Sequence, residues 1–410
     1  MNVHLRFALQ LLVLVGAYYG AGRIGLSWAF LHDYASSLWP PTGIAIAALL
    51  LFGVRLWPAV FVGALLVNAS LGSWPIAFFL AIGNTLEAYV AARLVQRFAG
   101  GARAFYTPGD SLKFVALAAV FSTAISASGG VGTLVAAGKL AAGDASAVWL
   151  TWWVADMLSA ITIVPLFAVL RTPLARAWDR RQTGEALAIL FALLLVVGVV
   201  FGEWLADARS NYPLAFLPIL PLLWAAYRFG PHGAVIASFV VSIAALIATP
   251  AGYGPFASAE LTVALTLVQA FVATLMFSAL LLAGVAQQQR DNQQMLIEQA
   301  GLLRAQSEAS PDGYLVVSPD GRMLSFNQRF VEMWRFSAEL IAAGSDYALL
   351  DAARTQVVDG DAFVTRVKRL YAAGNEQSHE EILFTDGRVF ERHGVPIHTD
   401  DGRYIGFVWY

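Results

Sequence analysis

The sequence predicts a polytopic all-α membrane bundle followed by a small α+β domain with a five-stranded antiparallel sheet. Two observations lead to this prediction. The chain is 58% hydrophobic and only 13% charged, and its apolar residues form long runs up to about residue 286. From about residue 309, apolar and polar residues alternate with a period of two, the pattern of half-buried strands. We therefore place the membrane domain at 1–286 and the α+β domain at 309–410.

The apolar runs define the membrane-spanning helices. A span needs about 20 consecutive, predominantly apolar residues. On that basis we predict about ten spans, with eight as the alternative if the short second and third segments form a re-entrant pair. The segments are 7–28, 38–54, 56–71, 74–96, 111–136, 147–170, 185–205, 213–228, 232–250 and 259–286.

The charge distribution sets the topology and excludes some classes of function. Lys and Arg concentrate in alternate connections, which predicts a multi-pass membrane protein with both termini in the cytoplasm. The first apolar run has no cleavage site, so we expect this span to be retained. A net charge of −2 argues against a nucleic-acid partner, so we expect membrane lipid as the surroundings. The chain has no cysteine, which excludes thiolate metal sites and thiol nucleophiles.

Residues 287–308 predict a linker helix. The tenth span continues into this segment without a proline, and Leu282, Leu296 and Leu303 recur at multiples of seven. A seven-residue apolar repeat is typical of a coiled coil. We favour a signalling helix that joins two copies of the chain in a homodimer, with a solvated single helix as the alternative.

The C-terminal domain alternates strands, helices and glycine-containing turns. A hairpin is predicted around Pro319-Asp320-Gly321, followed by amphipathic helices. The predicted strands are 313–318, 322–327, 379–385, 388–397 and 403–410, and the predicted helices are 328–336 and 361–373.

Ionisable residues within the spans are the first candidates for a functional site, because charges in a membrane are costly. These are Arg23, Glu87 and Asp156. They form either a ligand or proton site, or a structural set in which Arg23 pairs with one of the acids. Asn68 and Asn84 add hydrogen-bonding capacity, or hold neighbouring helices together.

Tryptophans near the predicted outer side are the second group of candidates. Trp39 precedes two prolines, so Trp39-Pro40-Pro41 is either a plain helix start or the rim of a pocket. One hypothesis is that Trp39, Trp152 and Trp153 line a pocket with Asp156 below them. The alternative is the aromatic belt common at membrane interfaces.

The C-terminal domain offers no clear cofactor or catalytic site. His379, His393 and His398 are dispersed among the predicted strands, and the helix at 361–373 has no histidine that could hold haem. We predict neither a metal site nor a catalytic residue set, and the cofactor stays unknown.

Two resemblances extend this interpretation. The stretches Trp39–Gly43, Asn84–Ala88, Trp152–Asp156 and Trp224–Pro231 resemble the first membrane-associated sensor family, MASE type one, over nearly the whole membrane domain. The stretches Asp312-Gly313, Ser318–Gly321 and Phe326–Phe330 resemble a PAS domain. These resemblances imply the sensor part of a signalling protein that detects an unknown small molecule or the state of the membrane.

In such families the two modules precede an output domain, which we do not find in these residues. We therefore expect no enzymatic activity in the chain itself. The resemblance implies a longer parent protein, with a diguanylate cyclase of cyclic-di-GMP signalling as the first expectation and a histidine kinase as the alternative. A transporter-like protein with a regulatory PAS domain is the competing class.

Overall fold

A computed structural model describes residues 3–27, 38–70, 72–172, 179–202, 213–258 and 260–410. The chain divides into two compact units, Met1–Asn292 and Gln293–Tyr410. The ends of predicted spans at residues 28, 71, 203–205 and 259 lie outside the described residues.

The membrane unit is helical throughout its described elements. Its helices are α1 (Val3–Ser27), α2 (Pro40–Phe52), α3 (Trp57–Ala69), α4 (Trp74–Phe98), α5 (Pro108–Phe114), α6 (Thr123–Ala136), α7 (Ala145–Arg171), α8 (Arg180–Phe201), α9 (Ile219–Ala248) and α10 (Leu261–Glu308). A π-helical segment, Val115–Ser122, joins α5 to α6. The helix α10 includes the predicted linker segment 287–308.

The predicted helical bundle is confirmed, but with fewer separate spans than ten. Among the described residues, seven helical stretches are long and apolar enough to cross a membrane, and α2 and α3 lie in shorter apolar helices. The predicted boundary between segments 213–228 and 232–250 is present, because the stretch Ile219–Ala248 consists of two helices that meet directly at a non-helical residue. They meet at Gly230, whose φ of 58° and ψ of −138° kink α9 immediately before Pro231. With seven membrane-length stretches among the described residues, the count is closer to the alternative of eight than to ten.

Small residues allow the helices of the membrane unit to pack closely. A side chain at Gly43 of α2 would collide with the backbone of Ser159 in α7, and one at Gly63 of α3 would collide with Tyr18 of α1. Without a hydrophobic driving force between helices in lipid, such close contacts supply much of the association energy. Helix α2 is consequently held in the centre of the unit, between α7 and α4.

The C-terminal unit contains the predicted five-stranded antiparallel sheet. Its strands are β1 (Leu315–Val317), β2 (Met323–Phe326), β3 (Ser378–Leu383), β4 (Val389–His398) and β5 (Tyr404–Trp409). They lie in the order β2-β1-β5-β4-β3, and every pair is antiparallel. The helices between β2 and β3 are α11 (Gln328–Trp334), α12 (Ala338–Ala342), α13 (Asp346–Arg354) and α14 (Gly360–Ala373).

Aromatic residues form much of the core of the C-terminal unit. Trp334 of α11 stacks on Phe336 and contacts Phe384, with ring centroids 5.7 and 4.9 Å away. Phe407 and Trp409 of β5 close the other end of the core. This core holds the sheet in place, and polar groups of Arg392 on β4 and Trp409 on β5 extend from that sheet.

Candidate functional site

The membrane unit contains a cavity of about 210 Å³ between α1, α3, α4, α6 and α7, beside the residue that precedes α2. Its aromatic lining comes from Trp39 and Trp152. Its polar lining comes from Asn68, Ser73, Asn84, Ser126, Lys139 and Asp156. A largely apolar cavity with a few convergent polar groups is the usual form of a small-molecule site.

Two buried carboxyl groups meet at one hydroxyl group beside this cavity. Thr42 Oγ1 lies 2.8 Å from Oδ1 of Asp156 and 3.4 Å from Oε2 of Glu87. The three residues are 3%, 5% and 1% exposed for Thr42, Asp156 and Glu87, respectively. A hydroxyl group has a single proton to donate, so Thr42 can donate to only one of the two carboxyl groups at a time. The cluster is therefore sensitive to any group that supplies a further donor.

Two polar atoms in this region lack a hydrogen-bond partner among the described residues. They are Oε1 of Glu87 and Nε1 of Trp152, and both are buried from solvent. A buried polar group without a partner costs about 1–3 kcal/mol. Because Trp152 lines the cavity, its Nε1 donor is a candidate contact for a bound molecule.

A second string of hydrogen bonds crosses the unit beside the cavity. Asn84 donates from Nδ2 to the hydroxyl of Tyr18 at 2.9 Å, and Oδ1 of Asn84 accepts from Ser126 at 2.9 Å. Helices α1, α4 and α6 are thereby connected by side chains that also reach the cavity wall. We did not predict Thr42, Ser126, Tyr18 or Lys139 as site residues. Small polar residues inside apolar helices were the available signal for the first two.

The stretch Trp39-Pro40-Pro41 is both a helix start and the rim of the cavity. Helix α2 begins at Pro40, where a missing backbone donor is tolerated in the first turn. Trp39 precedes it and lines the cavity. The backbone N–H of Gly43 donates to Ser159 Oγ at 2.9 Å, which holds the first turn of α2 against α7. Thr42 is consequently fixed between the two carboxyl groups.

Most of the predicted site residues are close together in the structure. Those lining the cavity are Trp39, Asn68, Asn84, Trp152 and Asp156. Glu87 contacts Thr42 next to it. Trp153 lies elsewhere, because its Nε1 donates to the backbone oxygen of Val120 at 2.9 Å and its ring stacks on Trp149.

The alternative in which Arg23 pairs with one of the acids was wrong for the described residues. Arg23 donates to Ser70 Oγ at 3.4 Å instead, in an exposed position. Glu87 and Asp156 are thus close to each other without an arginine between them.

The C-terminal unit has a separate, smaller cavity of about 60 Å³ that ends at a buried polar chain. Trp409 Nε1 donates to the Tyr371 hydroxyl at 2.8 Å, and that hydroxyl donates to Asp346 Oδ2 at 2.9 Å. The Arg392 guanidinium lies 4.0 Å from the Trp409 ring centroid and pairs with Glu380. Burial raises the pKa of Asp346 to about 6, although the Tyr371 hydrogen bond and the Arg392 charge lower it.

This elevated pKa predicts that the C-terminal unit loses stability as the pH rises. An unfolded Asp has a pKa of about 3.9, so between that value and about 6 the folded state binds more protons. The free energy of unfolding should fall across this window, by an amount on the order of 2–3 kcal/mol, and level off above it. Asp346→Asn should remove most of this slope. Urea unfolding at several pH values, followed by tryptophan fluorescence, measures it.

Asp351→Asn is the matched control for this experiment, since Asp351 is exposed on the same helix α13. The control should keep the slope of the parent chain. Equal slopes in the parent chain and Asp346→Asn would contradict the prediction.

The chain combines a helical unit that has several apolar helices of membrane-spanning length with a five-stranded antiparallel α+β unit. The chain belongs to the MASE1 family, whose model matches residues 9–290. A second model, described as PAS fold, matches residues 307–410. Both predicted resemblances are confirmed. No curated protein matches the chain.

Three solved structures are similar to the C-terminal unit. The PAS domain of an HTR-like protein from Haloarcula marismortui is 20% identical, with 29% of this chain and 95% of that chain covered and a TM-score of 0.23. The PAS domain of BvgS from Bordetella pertussis is 19% identical, with 27% of this chain and 83% of that chain covered and a TM-score of 0.22. A PAS domain from Colwellia psychrerythraea is 18% identical, with 28% of this chain and 92% of that chain covered and a TM-score of 0.20.

Proposed function

We propose that this chain is a signal-sensing module of the bacterial cytoplasmic membrane that binds a small molecule in the cavity of its membrane unit. The observation that supports this most is the cavity itself, which has two buried carboxyl groups beside it. Charged side chains within a membrane bundle are usually associated with function. The Lys and Arg distribution supports a multi-pass topology with both termini in the cytoplasm.

The polar groups of the cavity define the chemistry of the ligand. The Trp152 Nε1–H group can donate a hydrogen bond to an acceptor atom of the ligand. The Asp156 carboxyl group can accept one from an ammonium or hydroxyl group of the ligand. Lys139 adds a positive charge to the lining. A small polar molecule with both a donor and an acceptor, such as an amino acid or amino alcohol, fits this set.

The proposed relay runs through helix α10. A ligand that binds one arrangement of the bundle more tightly shifts the population toward it. Because α10 contains residues of both compact units, a movement of this helix reaches the PAS domain. Leu296, Leu302 and Leu303 of α10 are 64%, 70% and 65% exposed. These apolar side chains support a second copy of the chain as the partner of α10.

The output of the module is proposed from the resemblance alone. Sensors of this kind are followed by a diguanylate cyclase, which makes cyclic-di-GMP signalling our first proposal and a histidine kinase the alternative. In either case the 410 residues themselves act as a sensor and relay.

Trp152→Phe should weaken ligand binding by at least about tenfold, because it removes the one indole donor of the cavity that has no protein partner among the described residues. Asp156→Asn should weaken it by a similar factor. Native mass spectrometry of the chain, extracted gently from its own membrane, measures the bound fraction and the mass of the ligand.

Trp149→Phe is the matched control, because Trp149 stacks on Trp153 and bonds Ser128 without lining the cavity. It should leave binding within about twofold of the parent chain, well below the loss expected for a cavity contact. A ligand retained equally by all three variants would place the binding site elsewhere.

A further inference from the structure

Three side chains with metal-ligating atoms meet on one exposed face of the PAS sheet. His379 lies on β3, and Glu391 and His393 lie on β4. In the antiparallel ladder His379 is directly opposite His393. Glu391 is two residues from His393, so the alternation of side chains along a strand puts both on the same face. Strand pairing therefore brings together residues that are distant in the sequence.

The distances between the ligating atoms suit a single ion. Nε2 of His379 is 2.6 Å from Oε1 of Glu391, and Nε2 of His393 is 3.4 Å from the same oxygen. One ligating atom from each of the three residues lies within 4.8 Å of the others. With bonds of about 2.0–2.2 Å, the ligands of a tetrahedral zinc ion are roughly 3.3–3.6 Å apart. Small rotations of these exposed side chains reach that spacing without backbone movement.

The backbone beneath the three side chains is fixed on both sides. Six consecutive residue pairs join β3 to β4, from Ser378↔Gly394 to Leu383↔Val389. His393 also exchanges two backbone hydrogen bonds with Tyr410, at 3.0 and 2.8 Å. A site on a regular ladder is better pre-organised than one on a loop.

Charge is divided between the two faces of this ladder. Glu380 and Arg392 pair with each other on the opposite face, where Arg392 packs against Trp409. Among the ion pairs of the described residues, the partners of Glu391 are His379 and His393 alone. No arginine or lysine therefore neutralises the Glu391 carboxylate, and its negative charge is available to a cation.

We propose that His379, Glu391 and His393 form a binding site for a divalent transition-metal ion, with Zn²⁺ as the reference ion. Two imidazole nitrogens and one carboxylate oxygen are ligands that Zn²⁺ accepts, and a three-residue set leaves the fourth position of the ion to water or to a group from solution. The bound ion joins the edge strand β3 to β4. The site is separate from the cavity of the membrane unit and does not depend on the proposed ligand there.

The test uses the full chain without a polyhistidine tag, held in lipid nanodiscs and titrated with ZnCl₂ by calorimetry at pH 7.5. One Zn²⁺ should bind per chain with an affinity in the micromolar range. His379→Ala and His393→Ala should each weaken binding by at least about 100-fold, and Glu391→Gln by about tenfold. Substitution of Co²⁺ should give the visible absorption of a low-coordinate site.

His398→Ala is the matched control, because His398 is an exposed histidine of the same strand β4 that lies outside the cluster. It should bind Zn²⁺ like the parent chain, and all variants should show the same thermal unfolding without metal. Binding that survives in the double variant His379→Ala/His393→Ala would overturn the proposal, as would the absence of binding at about 1 mM Zn²⁺, a concentration at which even a weak site is half occupied.

Discussion

Replacing Asn327 with alanine should lower the free energy of unfolding of the PAS domain by about 3–5 kcal/mol. The side chain is fully buried and makes four hydrogen bonds to the backbone. Its Oδ1 accepts from the N–H groups of Tyr314 and Phe330, both at 3.0 Å. Its Nδ2 donates to the oxygens of Ser307 and Asp312, at 3.1 and 2.8 Å. Alanine leaves all four backbone groups without these bonds.

The position of Asn327 also matters for the proposed relay through α10. Asn327 caps the N-terminus of α11 and holds the last turn of α10, through Ser307, against the segment that leads into β1. In the proposed relay, this side chain is the direct link between the last turn of α10 and the start of the PAS sheet. We expect Asn327→Ala to separate the movement of α10 from that of the PAS domain even under conditions where the domain stays folded.

Pulse proteolysis of the full chain in nanodiscs over a series of urea concentrations measures the predicted loss. The control is Asn292→Ala, which changes an exposed asparagine of α10 and should have an effect within about 0.5 kcal/mol. A loss below about 1 kcal/mol for Asn327→Ala would contradict the account of its four hydrogen bonds, because each buried group left unpaired costs at least that much.

The sequence was sufficient to predict the PAS sheet but not all of its helices. All five strands have short, alternating patterns bounded by glycine turns, and local sequence determines such elements. The helices α12 and α13 were not predicted individually. With 5 residues, α12 is too short to show the helical period clearly, whereas the 9 residues of α13 are amphipathic and carried a helical signal that we missed. The proximity of His379, Glu391 and His393 was also not predicted, because His379 meets the other two only through strand pairing.

In the membrane unit, helical geometry distinguishes Trp152, which lines the cavity, from Trp153, which does not. Trp152 and Asp156 are four residues apart and lie on one face of α7, whereas Trp153 shares its face with Trp149. Adjacent residues on a helix point about 100° apart, so Trp152 and Trp153 direct their rings to different neighbours. The meeting of Glu87 and Asp156 at Thr42 depends on the packing of three helices, which periodicity alone does not determine.

Gly43→Ala should destabilise the membrane unit at the contact between α2 and α7. The added Cβ would lie 2.5 Å from the backbone oxygen of Ser159 and 2.6 Å from Cβ of Ile163. Neither atom can rotate away, so α2 must shift from α7. Overpacking of this kind lowers the free energy of unfolding by about 1–3 kcal/mol. A loss of about 2 kcal/mol, in the middle of this range, lowers the unfolding temperature by roughly 4–8 °C.

The same shift should open the polar cluster, because Thr42 precedes Gly43 and its 2.8 Å bond to Asp156 depends on the contact between α2 and α7. Thermal unfolding of the detergent-purified chain measures the stability, and native mass spectrometry measures the retained ligand. Gly16→Ala is the control, since a Cβ at Gly16 meets no atom within 4 Å. If Gly43→Ala unfolds at the temperature of this control and keeps its ligand, the first turn of α2 does not hold the cavity in shape. If Gly43→Ala unfolds at a lower temperature than the control and also loses its ligand, the contact between Gly43 and Ser159 sets the geometry in which Thr42, Glu87 and Asp156 meet.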